Sequence, residues 1–127
     1  MTYYFAKTID APFDEAVEKT VAALKQHGFG VLTRIDVKNT LKEKIGAEFR
    51  PYVILGACNP HMAHQALQAE DKIGTMLPCN VIVQEQSGKS EVAAVDPVAS
   101  MQAIENPALA AIATKVREEL KAAVQSL

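Results

Sequence analysis

The stretch that decides the fold class is Met76-Leu-Pro-Cys-Asn-Val-Ile-Val-Gln84, which is followed by Ser87-Gly88 and then by Ser90-Glu-Val-Ala-Ala-Val95. Both long runs are rich in valine and other apolar residues, as strands are, and the Ser-Gly pair between them predicts a hairpin turn. A hairpin joins antiparallel strands, whereas parallel strands need a long crossover connection, usually a helix. The hairpin therefore argues against a doubly wound parallel sheet.

Upstream of the hairpin, three more segments are predicted to form strands. They cover residues 2–9, 30–36 and 52–57. In the second of these, Val31, Thr33 and Ile35 are expected to lie on one side of the strand. The third, Tyr52-Val-Ile-Leu-Gly-Ala57, is apolar on both faces, which indicates a central strand.

Helix-start and helix-stop residues separate the predicted strands. Asp10-Ala-Pro12 is expected to begin a helix that ends at Gly28, and Asp36 is expected to cap a short helix that ends at Gly46. A third helix begins at Asn59-Pro60 and runs to about Ala69. It is predicted to bury Met62, Ala63, Ala66 and Leu67.

The last predicted helix starts at Asn106-Pro107 and runs nearly to the C-terminus. Its apolar face is formed by Leu109, Ile112, Val116, Leu120 and Val124. Together these elements predict an α+β fold, with an antiparallel or mixed sheet of about five strands and helices packed on one face.

Composition and charge restrict the kinds of partner. The chain has 127 residues, of which 49% are hydrophobic and 22% charged, and its formal net charge is −2. This length corresponds to a single α+β domain over residues 1–127. Because no basic block is present, we do not expect binding to nucleic acid or to an anionic membrane surface. No leader pattern or membrane span is found in the sequence, so a cytoplasmic location is expected.

Two Cys-Asn dipeptides are the strongest candidates for a site. They are Cys58-Asn59 and Cys79-Asn80, each at one end of a predicted strand. If the two strands are neighbours, both thiols meet at one edge of the sheet, where they can hold a soft metal such as zinc or copper(I). A lowered pKa would instead make Cys58 a nucleophile or redox group. The simplest alternative is that both cysteines are small core residues and that Asn59 only caps a helix.

Two further groups of residues are weaker candidates. His61 and His64 are three residues apart on one predicted helix face, a spacing at which they can join the two cysteines as metal ligands. Glu48 and Arg50 alternate on one side of the chain and can pair across strands. An arginine at this position can also bind the carboxylate or phosphate of a ligand.

Phe49-Arg-Pro-Tyr-Val-Ile-Leu-Gly-Ala-Cys-Asn-Pro60 and Leu77-Pro-Cys-Asn-Val-Ile-Val83 give the chain a family resemblance. Over nearly its whole length, the chain resembles the domain of unknown function 302 family. This resemblance implies a strand-helix-four-strand-helix fold like that of the TATA-box-binding protein, often found as a homodimer. It implies no activity, and likeness of fold is no argument for DNA binding.

Two functions are compatible with these observations. The first is a small binding or accessory domain, a homodimer without catalysis of its own, that binds a small ligand or a soft metal near Cys58 and Cys79. The second is a thiol-dependent enzyme or redox protein that uses Cys58 with Cys79 as its partner.

Overall fold

A computed structural model describes residues 2–127 of the chain. Five strands form one sheet: β1 (Tyr4–Ile9), β2 (Gly30–Asp36), β3 (Tyr52–Cys58), β4 (Cys79–Gln86) and β5 (Lys89–Val95). Their spatial order is β1-β5-β4-β3-β2, and all four neighbouring pairs are antiparallel. The predicted α+β class is therefore confirmed, and the sheet is antiparallel rather than mixed.

The hairpin that indicated this class is a tight two-residue turn. Ser87 and Gly88 both have positive φ angles, 50° and 79°. A two-residue turn with positive φ at both positions matches the right-handed twist of the strands it connects. It places β4 beside β5 with Gln86 opposite Lys89.

The helices are α1 (Phe13–Gln26), α2 (Val37–Ile45), α3 (Pro60–Ala69), α4 (Pro97–Ser100) and α5 (Pro107–Gln125), with a short 3₁₀ turn at Ile73–Met76. The caps expected from the sequence are present, because the side chains of Asp36, Asn59 and Asn106 accept hydrogen bonds from helical backbone amides. Gly28 and Gly46 follow their helices with positive φ angles of 86° and 67°. Pro12 is the residue that precedes α1.

The main core lies between one face of the sheet and the helices α1 and α5. The strands contribute mainly valine, leucine and alanine from alternate positions of β3, β4 and β5, and the helices contribute Val17, Leu24, Leu120 and Val124. A smaller cluster of Ala66, Ile73 and Leu109 joins α3 to α5. Since α1 and α5 cover only one face, the side chains on the other face of the sheet remain outside this core.

Three local predictions are wrong. Val31 and Thr33 do not share a face, because a β-bulge between them pairs Val31 with Ala57 and Thr33 with Gly56. The fourth strand begins at Cys79 rather than Met76, because Ile73–Met76 form the 3₁₀ turn. Of the four α3 residues predicted to be buried, only Ala66 is; Met62 and Ala63 are half-buried, and 44% of the Leu67 surface is exposed.

None of the helices in residues 2–127 combines the length and the apolar character that crossing a bilayer requires.

Candidate functional site

Cys58 and Cys79 lie near each other at one edge of the sheet. β3 ends at Cys58 and β4 begins at Cys79, and the two strands are neighbours in which Ala57 pairs with Cys79. Both cysteines are free thiols and line one cavity, together with apolar residues from α3 and α5. The structure thus brings the two thiols together, as expected if their strands were neighbours.

The cavity beside the thiols is small and apolar. Its volume of about 30 Å³ admits a water-sized molecule, whereas pockets that hold small organic ligands measure about 300–1,000 Å³. Its lining includes Met62, Ala63 and Ala66 from the inner face of α3. A ligand larger than water would therefore require α3 or α5 to move.

Burial also controls the ionisation of both thiols. It raises the pKa of Cys58, and it raises the pKa of Cys79 to about 11, with the nearby Cys58 adding to the effect. Burial acts in this direction because a thiolate loses hydration when it leaves water. Both groups are consequently protonated at neutral pH, whereas a nucleophilic cysteine needs a lowered pKa.

The other members of the candidate metal set lie elsewhere. His61 and His64 are exposed on the outer side of α3. Within residues 2–127, no three His, Cys, Asp or Glu side chains come together in a way that could hold a metal ion.

The two asparagines have separate places and separate partners. The Oδ1 atom of Asn59 accepts a hydrogen bond from the Met62 amide at 3.1 Å, which is the expected N-cap of α3. Asn80 is exposed, and it points away from the thiol cavity because side chains alternate along β4. It lines a different, larger concavity on the sheet.

Arg50 is hydrogen-bonded to the sheet residue Gln84, which was not among the residues predicted from the sequence. Its Nε donates to Gln84 Oε1 at 2.8 Å, and Gln84 Nε2 donates to Glu91 Oε1 at 2.9 Å. The guanidinium carbon of Arg50 lies 4.4 Å from the centre of the Phe49 ring and 5.7 Å from that of Tyr52. Glu48, its predicted companion, is exposed.

This hydrogen-bonded chain belongs to what we call the open face, the side of the sheet opposite α1 and α5. The strand registers arrange its side chains in rows. One row contains Thr8, Glu91, Gln84 and Tyr52, from β1, β5, β4 and β3 in turn. The next row is apolar and crosses all five strands: Ala6, Ala93, Ile82, Ile54 and Ile35.

A concavity of about 440 Å³ lies on the open face. Ile82 and Ala93 belong to its lining, as do Tyr3, Tyr4 and Tyr52, with Gln84 and Glu91 among the polar contributors. The small side chain of Ala93 leaves space between its larger neighbours. This volume falls within the range of sites that hold small molecules.

A family model for the domain of unknown function DUF302 matches residues 5–127 of the chain. The chain belongs to the DUF302 family. A solved structure of an uncharacterized conserved DUF302 protein from Bacillus stearothermophilus is similar, with a TM-score of 0.92 and 30% sequence identity over 98% of each chain. A comparison with curated proteins finds no match. The resemblance seen in the sequence is thus confirmed for the family, and the α+β class with a five-stranded sheet is confirmed with it.

In this DUF302 chain, sequence reasoning missed Gln84, Glu91, Tyr3 and Tyr4. One signal was available, because alternation along β4 puts Ile82 and Gln84 on the same face as each other and opposite Val81 and Val83. The neighbours of these residues on β1 and β5 could not be read from the sequence, since nothing in it fixes the order of the strands.

Proposed function

We propose that this protein is a small binding domain without catalysis of its own, and that it acts as a homodimer through the open face. The observation that carries the proposal is the apolar row of Ala6, Ala93, Ile82, Ile54 and Ile35 across all five strands. Both Ile35 and Tyr4 on this face are nearly half exposed, at 46% and 43%. A continuous apolar band of this kind is typical of interaction surfaces, which supports the proposal.

The arrangement of the face suits contact with a second copy. Its apolar row has the polar row of Thr8, Glu91 and Gln84 beside it, the pattern of an apolar interface centre and a polar rim. The apolar row carries no charge, so a two-fold arrangement that brings it against its own copy creates no like-charge contact. Arg50 and Glu91 are linked through Gln84 at the rim.

The size of the face is also adequate. Five strands about 4.8 Å apart and seven residues long, at about 3.3 Å per residue, give a footprint of about 500 Å². The relief of the side chains and the exposed Tyr3 and Tyr4 raise the accessible area toward the ~800 Å² per partner of a standard interface. A small self-associating interface fits these dimensions.

Sedimentation velocity at micromolar concentration tests this proposal. We expect a species of twice the 13.7 kDa chain mass, and we expect Ile54→Lys to yield a folded monomer because the lysine would be buried at the interface. Ile45→Lys is the matched control, since Ile45 is 72% exposed on α2, outside the apolar row. A monomeric wild type, or an Ile54→Lys variant that remains dimeric, would contradict the proposal.

Fewer observations support a functional site at Cys58 and Cys79 than support the open face. The shared cavity favours a site that uses both thiols, whether for a soft metal, for a small ligand or for thiol chemistry. The raised pKa of each thiol opposes thiol chemistry, and the water-sized cavity opposes a small organic ligand. A metal ion would find no third His, Cys, Asp or Glu ligand beside the two thiols within residues 2–127. A cytoplasmic location is part of the main proposal, and two free thiols are consistent with a reducing compartment.

A further inference from the structure

The residues that line the open-face concavity carry one negative charge. Among the residues 2–127 that line it, Glu91 is the one with a formal charge. Its Oε1 accepts the hydrogen bond from Gln84 Nε2, while Oε2 has no hydrogen-bond partner within the described chain. A ligand in the concavity therefore meets a carboxylate oxygen that can accept a hydrogen bond.

The hydrogen-bonded chain fixes the position of this acceptor. Because Arg50 Nε donates to Gln84 Oε1, the carboxamide of Gln84 must turn its Nε2 toward Glu91. Gln84 is buried, and both its amide nitrogen and its oxygen are used. Arg50 itself is not part of the lining. Its guanidinium carbon lies 4.4 Å from the centre of the Phe49 ring and 5.7 Å from that of Tyr52, at the margin of the concavity.

The opposite end of the concavity is aromatic. Tyr3 and Tyr4 meet edge to face there, with ring centres 5.0 Å apart. Tyr4 pairs with Val95, and Glu91 pairs with Thr8 four residues along β1. At about 3.3 Å per residue this is a separation of about 13 Å. The concavity is therefore elongated, with Glu91 and Tyr52 at one end and the Tyr3–Tyr4 pair at the other.

We propose that this concavity binds a small primary amine with an elongated apolar body. The ammonium group donates to the free Oε2 of Glu91, in a charge-assisted hydrogen bond. The body extends over Ala93 and Ile82 toward the Tyr3–Tyr4 pair. This inference rests on the proposed function, because the apolar row of the second copy would form the opposite wall of the concavity and enclose the bound body between the two copies.

Calorimetry with two probes of equal length tests whether the concavity prefers a cationic ligand to an anionic one. Octylamine and octanoate have the same chain length and opposite charges at pH 7. We expect octylamine to bind with a Kd of roughly 0.1–1 mM, a range typical of ligands this small, and octanoate to bind at least tenfold more weakly. Octanoate binding as tightly as octylamine, or neither probe binding, would overturn the inference.

Two substitutions locate the site. Glu91→Gln keeps an acceptor oxygen for Gln84 and removes the charge, so it should weaken octylamine binding about tenfold and leave octanoate no weaker. Ala93→Leu fills the floor of the concavity and should abolish octylamine binding. Unchanged octylamine binding in both variants, with each shown to be folded by circular dichroism, would place the amine elsewhere and overturn the inference.

Sedimentation with and without octylamine separates this inference from the dimer proposal. If the dimer encloses the ligand, octylamine should strengthen self-association of the wild type by mass action. A dimer that binds neither probe overturns the ligand site alone. A monomeric wild type that binds octylamine overturns the proposed dimer alone.

Discussion

Gly56 and Thr33 face each other across β3 and β2 so closely that no methyl group fits between them. An ideal Cβ at position 56 would overlap Thr33 Oγ1 and lie 2.7 Å from Pro78 Cγ. The contact exists because the β-bulge after Val31 brings Thr33 opposite Gly56. The glycine is therefore required by the close approach of its neighbours.

Gly56→Ala should destabilise the protein by about 1–3 kcal/mol, the usual range for overpacking a close-packed site. Gly30→Ala is the matched control, because Gly30 also lies in the sheet and an added Cβ there meets nothing within 4 Å. Chemical denaturation measures both free energies of unfolding. In a Thr33→Ala background the loss should be smaller, and an undiminished loss would point to Pro78 as the main obstacle.

Asp96 combines a helix cap with an ion pair. Its Oδ1 accepts from the amides of Val98 and Ala99 at the start of α4, and its Oδ2 lies 3.3 Å from Arg117 Nε on α5. Asp96→Asn retains the cap and loses the charge, so it should cost about 1 kcal/mol. Asp96→Ala loses both and should cost about 2–3 kcal/mol. Thermal denaturation distinguishes them, and equal losses would mean that the cap contributes nothing.

Stability should decrease between about pH 9 and pH 11. The pKa of Cys79 rises from an ordinary 9.0 to about 11 in the folded protein because of burial. Above pH 9 the unfolded chain loses this proton before the folded protein does, which stabilises the unfolded state. The contribution of the Cys79 thiol to the free energy of unfolding is thus fully present below pH 9. About 2–3 kcal/mol of stability is lost between pH 9 and pH 11.

The control for this pH dependence is Cys79→Ala, which removes the titrating thiol. Other groups also titrate above pH 9, so the quantity to compare is the slope of unfolding free energy against pH in the two proteins. The wild type should have the steeper slope. Identical slopes from pH 9 to pH 11 would show that the pKa of Cys79 is not raised.

Both thiols should react slowly with iodoacetamide at pH 7, because burial raises the pKa of each and leaves little thiolate. Cys58 should react before Cys79, since it is half-buried and Cys79 is buried. Mass spectrometry of Cys58→Ala and Cys79→Ala identifies which thiol is labelled and how fast. A thiol that reacts faster in the folded protein than in urea would revive the thiol-enzyme hypothesis.

Much of the fold could be predicted because its signals are local. Ser87 and Gly88 specify a tight hairpin, and Asn59, Asn106 and Asp36 mark helix starts, because each acts on backbone groups within a few residues. Leu67 shows the limit of such signals. It fits the apolar spacing of α3, yet 44% of its surface is exposed, because apolar spacing alone does not show which side of a short helix the core covers.

Some parts of the candidate site could likewise be predicted from the sequence, and others could not. The proximity of Cys58 and Cys79 could be predicted from the sequence, because each lies at a strand end and the prediction needed only the assumption that the two strands are neighbours. The chain Arg50–Gln84–Glu91 could not, since it depends on three segments whose order in the sheet is set by packing. The bulge that moves Thr33 to the open face had no signal in the sequence either.

By itself, the sequence determined the α+β class, the hairpin, the helix caps and the family, because turn residues, apolar periodicity and short motifs act over a few neighbouring positions. Only the tertiary structure decided that the strand order is β1-β5-β4-β3-β2 and that α1 and α5 cover a single face. That order brings Ala6, Ala93, Ile82, Ile54 and Ile35 into one row. The physical reason is that residues far apart in sequence become neighbours only when the whole sheet packs against its helices.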